Sequence, residues 1–454
     1  MKSFGYFFLL ILFSVGTATA QQRFVAALGG NQEVPANAST AKGTCAIVLN
    51  AAQTQITVNC TFSGLGSNAN AAHIHAGAVG VAAPVLFGFS GVPAATSGTI
   101  PTQTITVTPA QVASMRAHLH YVNIHTTPFP GGEIRGQIKQ AHTTTDYDGD
   151  GRSDATIFRQ STNTFWIKHS LNSGFTTITH GSGTGDIHLN NTADFDGDGR
   201  GDPLLIKLVG NLAMWSIYQT DTNTVRTETW GDFSAASADT LAISDYDGDG
   251  KQDPAVFRRS TGDWWYIESA SGLRTVKHWG TVNDFPAAGD YDGDGKADLT
   301  AVRVESGNRV WYILNSSDGT SRRVTFGASA TDGLFFFAPF DIDGDSKQDI
   351  AVNRTTAGQR VFHILRSSDG AYTQIAWGGA GAASTALFGD YDGDGKTDLV
   401  ARISGAEYLW QVLRSSDGGI DYIYWGTTGD RLIDGGGDGD FDPALVQSGP
   451  SPEL

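Results

Sequence analysis

Six times between residues 146 and 398 the chain repeats Asp-x-Asp-Gly-Asp-Gly/Ser-x-x-Asp, beginning at Asp146, Asp194, Asp245, Asp290, Asp341 and Asp390. A worn seventh copy keeps Asp434, Asp438 and Asp442 but has Gly436 in its third place. Successive copies start 44 to 51 residues apart, so a ligand-rich loop recurs once per small supersecondary unit. Positions 1, 3, 5 and 9 supply carboxylates and position 7 a main-chain carbonyl. The sets are Asp146, Asp148, Asp150 and Asp154 with Arg152; Asp194, Asp196, Asp198 and Asp202 with Arg200; and Asp245, Asp247, Asp249 and Asp253 with Lys251. The remaining three are Asp290, Asp292, Asp294 and Asp298 with Lys296; Asp341, Asp343, Asp345 and Asp349 with Lys347; and Asp390, Asp392, Asp394 and Asp398 with Lys396.

Hard oxygen donors in that number suit Ca²⁺ and predict about six calcium sites. Glycines at positions 4 and 6 let the chain take the positive-φ turns that wrap four carboxylates around one point. In the fifth copy Ser346 replaces the second glycine. Asp and Gly also make plain turns, but a turn needs one or two of them, and four clustered carboxylates without a cation repel one another. Position 12 is Ile157, Leu205, Val256, Ala301, Val352 or Ala401, never the bidentate Glu of an EF-hand, and β-type runs follow each loop.

Met1 to Ala20 combine Lys2, an apolar run from Phe4 to Val15 and the ending Ala18-Thr19-Ala20, which reads as a cleavable secretory signal. No later apolar run is long enough to span a bilayer, so an exported or surface-attached chain without membrane insertion is expected. The net charge of -17 argues against nucleic acid and anionic membrane surfaces as partners. Half of that acidity belongs to the loops, which hold 24 of the 47 acidic residues. Cys45 and Cys60 flank alternating runs around a short polar turn, where a hairpin would bring them face to face as a disulfide.

All ten tryptophans follow residue 145. One recurring aromatic place lies 20 or 21 residues into each unit, at Trp166, Trp215, Trp265, Trp311, Phe362 and Trp410. A Trp-Gly pair closes the unit at Trp230, Trp279, Trp377 and Trp425, with His180 and Phe326 as variants. Four short β-type runs per unit predict propeller blades with these aromatics packed between them. Residues 141–454 are thus expected to form a propeller of six full blades and a partial seventh repeat; closure by six or by seven blades is left open. This region resembles the FG-GAP/VCBS repeats, related to the integrin α-chain propeller. That resemblance implies calcium loops joining the first two strands of each blade and a role in extracellular recognition.

Residues 21–140 contain no Trp and read as an all-β module of the β-sandwich type. Phe24 to Pro35, Ala72-His-Ile-His-Ala-Gly77, Tyr121-Val-Asn-Ile-His-Thr126 and Gly132-Glu-Ile-Arg-Gly-Gln137 together resemble the CHRD family, the domain named after chordin. His73 and His75 share one strand face and, with His125, form a set that suits zinc or copper. Hydrogen-bonding imidazoles at a polar edge are the alternative. A fourth ligand is not evident beyond His118 or His120.

The sequence has no Gly-x-Ser-x-Gly elbow, His-Glu-x-x-His helix or phosphate loop, and its Asp residues are absorbed by the loops. The expectation is a calcium-binding recognition or adhesion protein without catalysis, whose partner is an extracellular protein or glycan. A carbohydrate-binding propeller and a metalloenzyme centred on the CHRD histidines are the alternatives.

Overall fold

A computed structural model describes residues 22–433 except 51, 79, 117, 141–144, 150, 171–173, 182–185, 188–191, 235, 238, 335–339, 346 and 380–383. The proposed signal segment, Asp150, Ser346 and the seventh copy (Asp434, Asp438, Asp442) lie outside the described residues. The fold is all-β, as the alternating runs require.

The amino-terminal module comprises β1 (Gln22–Gly29), β2 (Lys42–Leu49), β3 (Gln55–Ser63), β4 (Ala69–Ala76), β5 (Val85–Gly88), β6 (Gly98–Thr106), α1 (Pro109–Arg116), β7 (His120–Thr126), β8 (Ile134–Gln137) and β9 (Lys139–Gln140). They make one hydrogen-bonded sheet in the order β5-β4-β7-β8-β1-β2-β3-β6, with β9 also on β1. Rather than two separate stacked sheets, this single sheet curls barrel-like around one core. Ile47, Val58, Cys60, Phe62, Ile74, Val122 and Ile134 point inward, because alternate side chains of a strand share a face. Cys45 and Cys60 are directly paired on β2 and β3 and form the expected disulfide. The helix is opened by a capping box in which Thr108 Oγ1 accepts from the Gln111 N–H and Gln111 Oε1 from the Thr108 N–H, and its Val112 and Met115 complete the core.

Six four-stranded antiparallel sheets follow. Blades 2 to 6 are contiguous in sequence, spanning Asp186 to Asp232, Asp239 to His278, Phe285 to Ala328, Asp332 to Gly379 and Ser384 to Thr427. Blade 1 is not. Its strands Ala155–Arg159, Thr164–Lys168 and Phe175–Thr179 are completed by Arg431–Ile433, the last described strand, which pairs with residues 156–158. Among the described residues the ring therefore has six blades, and Arg431–Ile433 latches the first. In blades 2 to 6 the acidic loop joins the first and second strands, whereas the first loop enters from β9 because the inner strand of its blade arrives from the other end of the chain.

The two aromatic places have separate tasks. Trp215, Trp264, Trp311 and Trp410 are fully buried and donate Nε1–H to the carbonyls of Trp230, Trp279, Phe326 and Trp425 within their own blades. Outer-strand Trp230, Trp279, Trp377 and Trp425 donate instead to carbonyls of the next blade, at Trp265, Tyr312, Gln411 and Trp166. His180 stands in the same way against Ser216 O. The expected buried place is corrected in two blades: Phe165 and Trp264 fill it, not Trp166 and Trp265. Their second hairpins are two residues shorter when counted from the loop, so the buried place falls 19 residues after Asp146 and Asp245 but 21 after Asp194, Asp290 and Asp341, and a count of 20 lands one residue on, upon the opposite face.

The module sits against the loop face of the ring. Lys139 Nζ lies 2.5 Å from Asp290 Oδ2. A Cβ added at Gly250 would lie 2.6 Å from Arg116 O, at Gly295 3.0 Å from His118 Nδ1, and at Gly395 3.1 Å from Val25.

Candidate metal centres

Each acidic loop is organised by its own backbone. The carboxylate at position 1 accepts the N–H groups of both glycines: Asp245 Oδ1 from Gly248 at 2.6 Å and Oδ2 from Gly250 at 2.9 Å. Asp146, Asp194, Asp290 and Asp390 repeat this pairing. Those glycines have positive φ, 79° at Gly248 and 88° at Gly250, a region that costs other residues steric strain. The carboxylate at position 9 is buried in all six described copies, at Asp154, Asp202, Asp253, Asp298, Asp349 and Asp398. One of its oxygens accepts the N–H of position 2, as from Tyr246 at 2.9 Å.

The other oxygen takes a partner that the motif does not contain. The main-chain N–H groups of Ser170, Thr220, Ser269, Ser316, Ser367 and Ser415, in the turn between the third and fourth strands, donate to it at 2.6–2.9 Å. Hydroxyls of Ser269, Ser367 and Ser415 also donate to the position 5 carboxylates Asp249, Asp345 and Asp394. The signal was in the sequence. A Ser or Thr recurs 16 to 18 residues after position 9, inside the repeated Ser-Ser-Asp-Gly at Ser316, Ser367 and Ser415.

Loops also join each other. The N–H at position 8 donates to the position 1 carbonyl of the preceding loop: Gly201 to Asp146, Gln252 to Asp194, Ala297 to Asp245, Gln348 to Asp290 and Thr397 to Asp341. Ser153 donates to Asp390 O at 2.6 Å and closes the circle. The aliphatic stems of Lys251, Lys296, Lys347 and Lys396 at position 7 lie over Gly197, Gly248, Gly293 and Gly344 of the preceding loops. An added Cβ at Gly248 would meet Lys296 at 2.7 Å.

Carboxylates within single loops come within reach of one ion. Ligand oxygens of Asp146, Asp148 and Asp154, of Asp194, Asp196 and Asp202, of Asp245, Asp247 and Asp253, and of Asp290, Asp292 and Asp294 lie within 4.8 Å of one another. Burial raises the loop carboxyls first; at Asp245, Asp253, Asp349 and Asp398 the backbone N–H groups oppose it next and the neighbouring carboxylates add to it, whereas at Asp298 and Asp341 a neighbouring carboxylate comes second. Asp253, Asp298 and Asp349 are pushed up to about 7 and Asp398 to about 6, while Asp245 and Asp341 stand well above the carboxylate range. In the fifth loop burial acts first on Asp341, and Asp345, Asp349 and Asp343 add to it, so the four groups feel one another directly. Buried carboxylates held this close repel one another unless they take up protons or share a cation.

A second cluster lies in the amino-terminal module. His73 and His75 on β4 and His125 on β7 place ligand nitrogens within 4.8 Å of one another. Burial and then neighbouring imidazoles lower the basicity of His73, and burial chiefly that of His125. Neither His118 nor His120 joins them. His120 Nε2 faces Ser114 Oγ at 3.1 Å and His118 lies under the propeller loops. The neighbour that does is Asn123, whose Oδ1 is 2.9 Å from both His75 Nε2 and His125 Nε2. It lies two residues before His125 and on the same strand face, a spacing legible in Asn123-Ile-His125.

Residues 24–138 match the CHRD domain family, and residues 290–352 and 341–401 match the FG-GAP-like repeat. The chain thus contains a CHRD domain at 24–138 followed by FG-GAP-like repeats at 290–401. No curated protein matches it in sequence. Among solved structures it is similar to a candidate 6-phosphogluconolactonase from Bacteroides uniformis, at 9% identity over 70% of this chain and 94% of that one, with a TM-score of 0.33. It is also similar to the dihydro-heme d1 dehydrogenase NirN, at 8% identity over 94% and 76% of the chains and a TM-score of 0.29. For the NanB sialidase of Streptococcus pneumoniae the values are 11%, 91% and 88%, and 0.24. At these scores none of the three informs the chemistry of this chain. Among the described residues no helix is long and apolar enough to cross a membrane.

Proposed function

We propose that the chain is an exported recognition or adhesion protein without catalysis, whose propeller is made rigid by about six Ca²⁺ ions. The observation that carries this reading is the closed circle of acidic loops, each holding buried carboxylates oriented by backbone N–H groups and each hydrogen-bonded to the next. The donor set fits a hard cation, with carboxylates at positions 1, 3, 5 and 9 of each loop holding it and the position 7 carbonyl completing the shell. Bound calcium would supply charge compensation and crosslink the loop to the turn that carries Ser269 and its counterparts. Loops fixed on a rigid ring are where binding specificity resides. The paired cysteines and the leader-like first residues support export.

Equilibrium dialysis of the full chain should recover about six calcium ions per molecule; fewer than two would overturn the role given to the loops. Capture of candidate extracellular proteins by the immobilised chain, with calcium and with chelator, tests recognition. A carbohydrate-binding reading draws on Tyr422 and Tyr424, exposed on one face of the outer strand Ile420–Thr427, because sugars stack on exposed aromatics. A glycan array without signal above background removes that reading.

A further inference from the structure

The CHRD histidines have an arrangement of hydrogen bonds that does not close on itself. His75 Nδ1 lies 2.8 Å from Ala83 O, and His125 Nδ1 lies 3.0 Å from Pro130 O. A carbonyl oxygen only accepts, so both Nδ1 atoms carry hydrogen, and each neutral ring presents a bare lone pair at Nε2. Those two lone pairs converge on Asn123 Oδ1, itself an acceptor, at 2.9 Å each. Asn123 Nδ2 donates to Gly131 O at 3.2 Å, which sets the amide with its oxygen toward the imidazoles. His73 Nδ1 approaches His125 Nε2 at 3.0 Å. With His73 in the tautomer that carries its hydrogen on Nε2, four electron-pair donors face one another, and a cation between them satisfies all four at once.

Outer partners hold the donors in place, as they do around metal-ligating histidines. The ring of His75 stacks on Tyr121 at 4.6 Å, and the Arg135 guanidinium covers the far side of Tyr121 at 3.5 Å. Arg135 also donates to Val81 O and Ala78 O, pinning the segment whose Ala83 carbonyl orients His75. His75 and His125 are buried while His73 is half-buried, which leaves one side open to solvent.

We propose that His73, His75, His125 and the amide oxygen of Asn123 form a binding site for one copper(II) ion. The choice of ion follows from the donor types, three imidazole nitrogens and one amide oxygen with no thiolate or carboxylate, and the spacing between them is compatible with it. Adjacent ligands at right angles around a metal bonded at about 2.0–2.1 Å stand roughly 2.9 Å apart, whereas a tetrahedral zinc shell places them at about 3.3 Å. The donors stand 2.9, 2.9 and 3.0 Å apart, the length of a right-angled edge and also of an ordinary hydrogen bond. Right-angled nitrogen and oxygen donors are the tetragonal preference of copper(II). The site lacks a carboxylate and is independent of the calcium loops, so it stands or falls apart from them.

The test uses the untagged full-length chain in excess calcium, which occupies the acidic loops, titrated with glycine-buffered copper(II). One copper per chain is expected, with an electron paramagnetic resonance spectrum split by three nitrogens. The variant His73→Ala should lose one nitrogen from that pattern and weaken binding by at least about 100-fold, beyond the loss typical of outer-shell partners. His278→Ala, at an exposed imidazole of blade 3, should change neither. Less than one copper per chain, or a spectrum showing one nitrogen or none in the unaltered protein, overturns the proposal without reliance on any variant. In that case the Asn123 amide is turned end over end and donates to both rings.

Discussion

The latch of blade 1 predicts a selective opening of the ring when Asp430 is replaced by Ala. Its carboxylate accepts Arg159 Nε and Nη2, both at 2.8 Å, and the Thr427 N–H at 2.9 Å and hydroxyl at 3.2 Å. Burial alone would raise its pKa, but Arg159 and Thr427 outweigh burial and hold it below the usual value. Removing one partner of a buried pair costs about 3–5 kcal/mol; Arg159, a third exposed at 32%, recovers some hydration, which reduces the loss to about 2–3 kcal/mol. The Arg431–Ile433 strand is held otherwise by pairing with residues 156–158 and by buried Leu432 and Ile433. At about 1.4 kcal/mol per tenfold, amides of 156–158 and 431–433 should exchange roughly 30- to 150-fold faster. Asp239→Ala is the matched control, since Asp239 pairs with Arg258 in the same way but on an inner strand contiguous with its own blade. Its effect should stay in blade 3. Hydrogen exchange by mass spectrometry reads both. If Asp430→Ala speeds exchange in blade 1 no more than Asp239→Ala does, closure does not depend on the latch.

Asp332 should contribute to acid sensitivity. Burial would raise it, yet the Arg354 guanidinium, the Ala328 N–H and the Thr331 hydroxyl together hold it at about 2. Its folded value is below the unfolded value of about 3.9, so its contribution of about 2 kcal/mol is fully present above about pH 5 and fades as pH falls from there to about 2. Denaturant midpoints of Arg354→Gln should lack that part of the slope. Chelation should lower the melting temperature, because calcium at a hundredfold its Kd stabilises by about 2.7 kcal/mol per site; calorimetry showing equal melting with and without chelator refutes it. Replacing Cys45 and Cys60 together by Ser should cost about 2–3 kcal/mol, read by urea denaturation, since the bridge closes a short loop. Gly250→Ala meets both a positive φ of 88° and the Arg116 carbonyl at 2.6 Å, and should weaken docking of the module on the ring, visible as faster exchange in residues 109–116.

Much of this molecule is written locally. The ligand quartets, the glycines between them, the four runs per unit and the cysteines facing across a hairpin each depend on residues a few positions apart or on a unit repeated six times. The repetition made the tryptophan places visible, but counting from the loop misassigned Trp166 and Trp265, because hairpin length resets which face a strand residue occupies. The turn serines were visible as a repeated tetrapeptide, yet their bond to the position 9 carboxylate spans two strands and shows only when the blade is assembled. Asn123 was missed because an amide carries no metal signature until two imidazoles are brought against it from β4 and from its own strand.

From composition and spacing alone came the all-β character, the division into two unlike parts and the acidic quartets proposed to hold calcium, since those are properties of short segments with fixed periodicity. Three features needed the folded chain: six blades closed by Arg431–Ile433, the hydrogen-bonded circle of loops, and the CHRD module resting on that circle. Each joins residues from 50 to more than 250 positions apart, where geometry set by all the intervening packing, rather than any local preference, selects the partner.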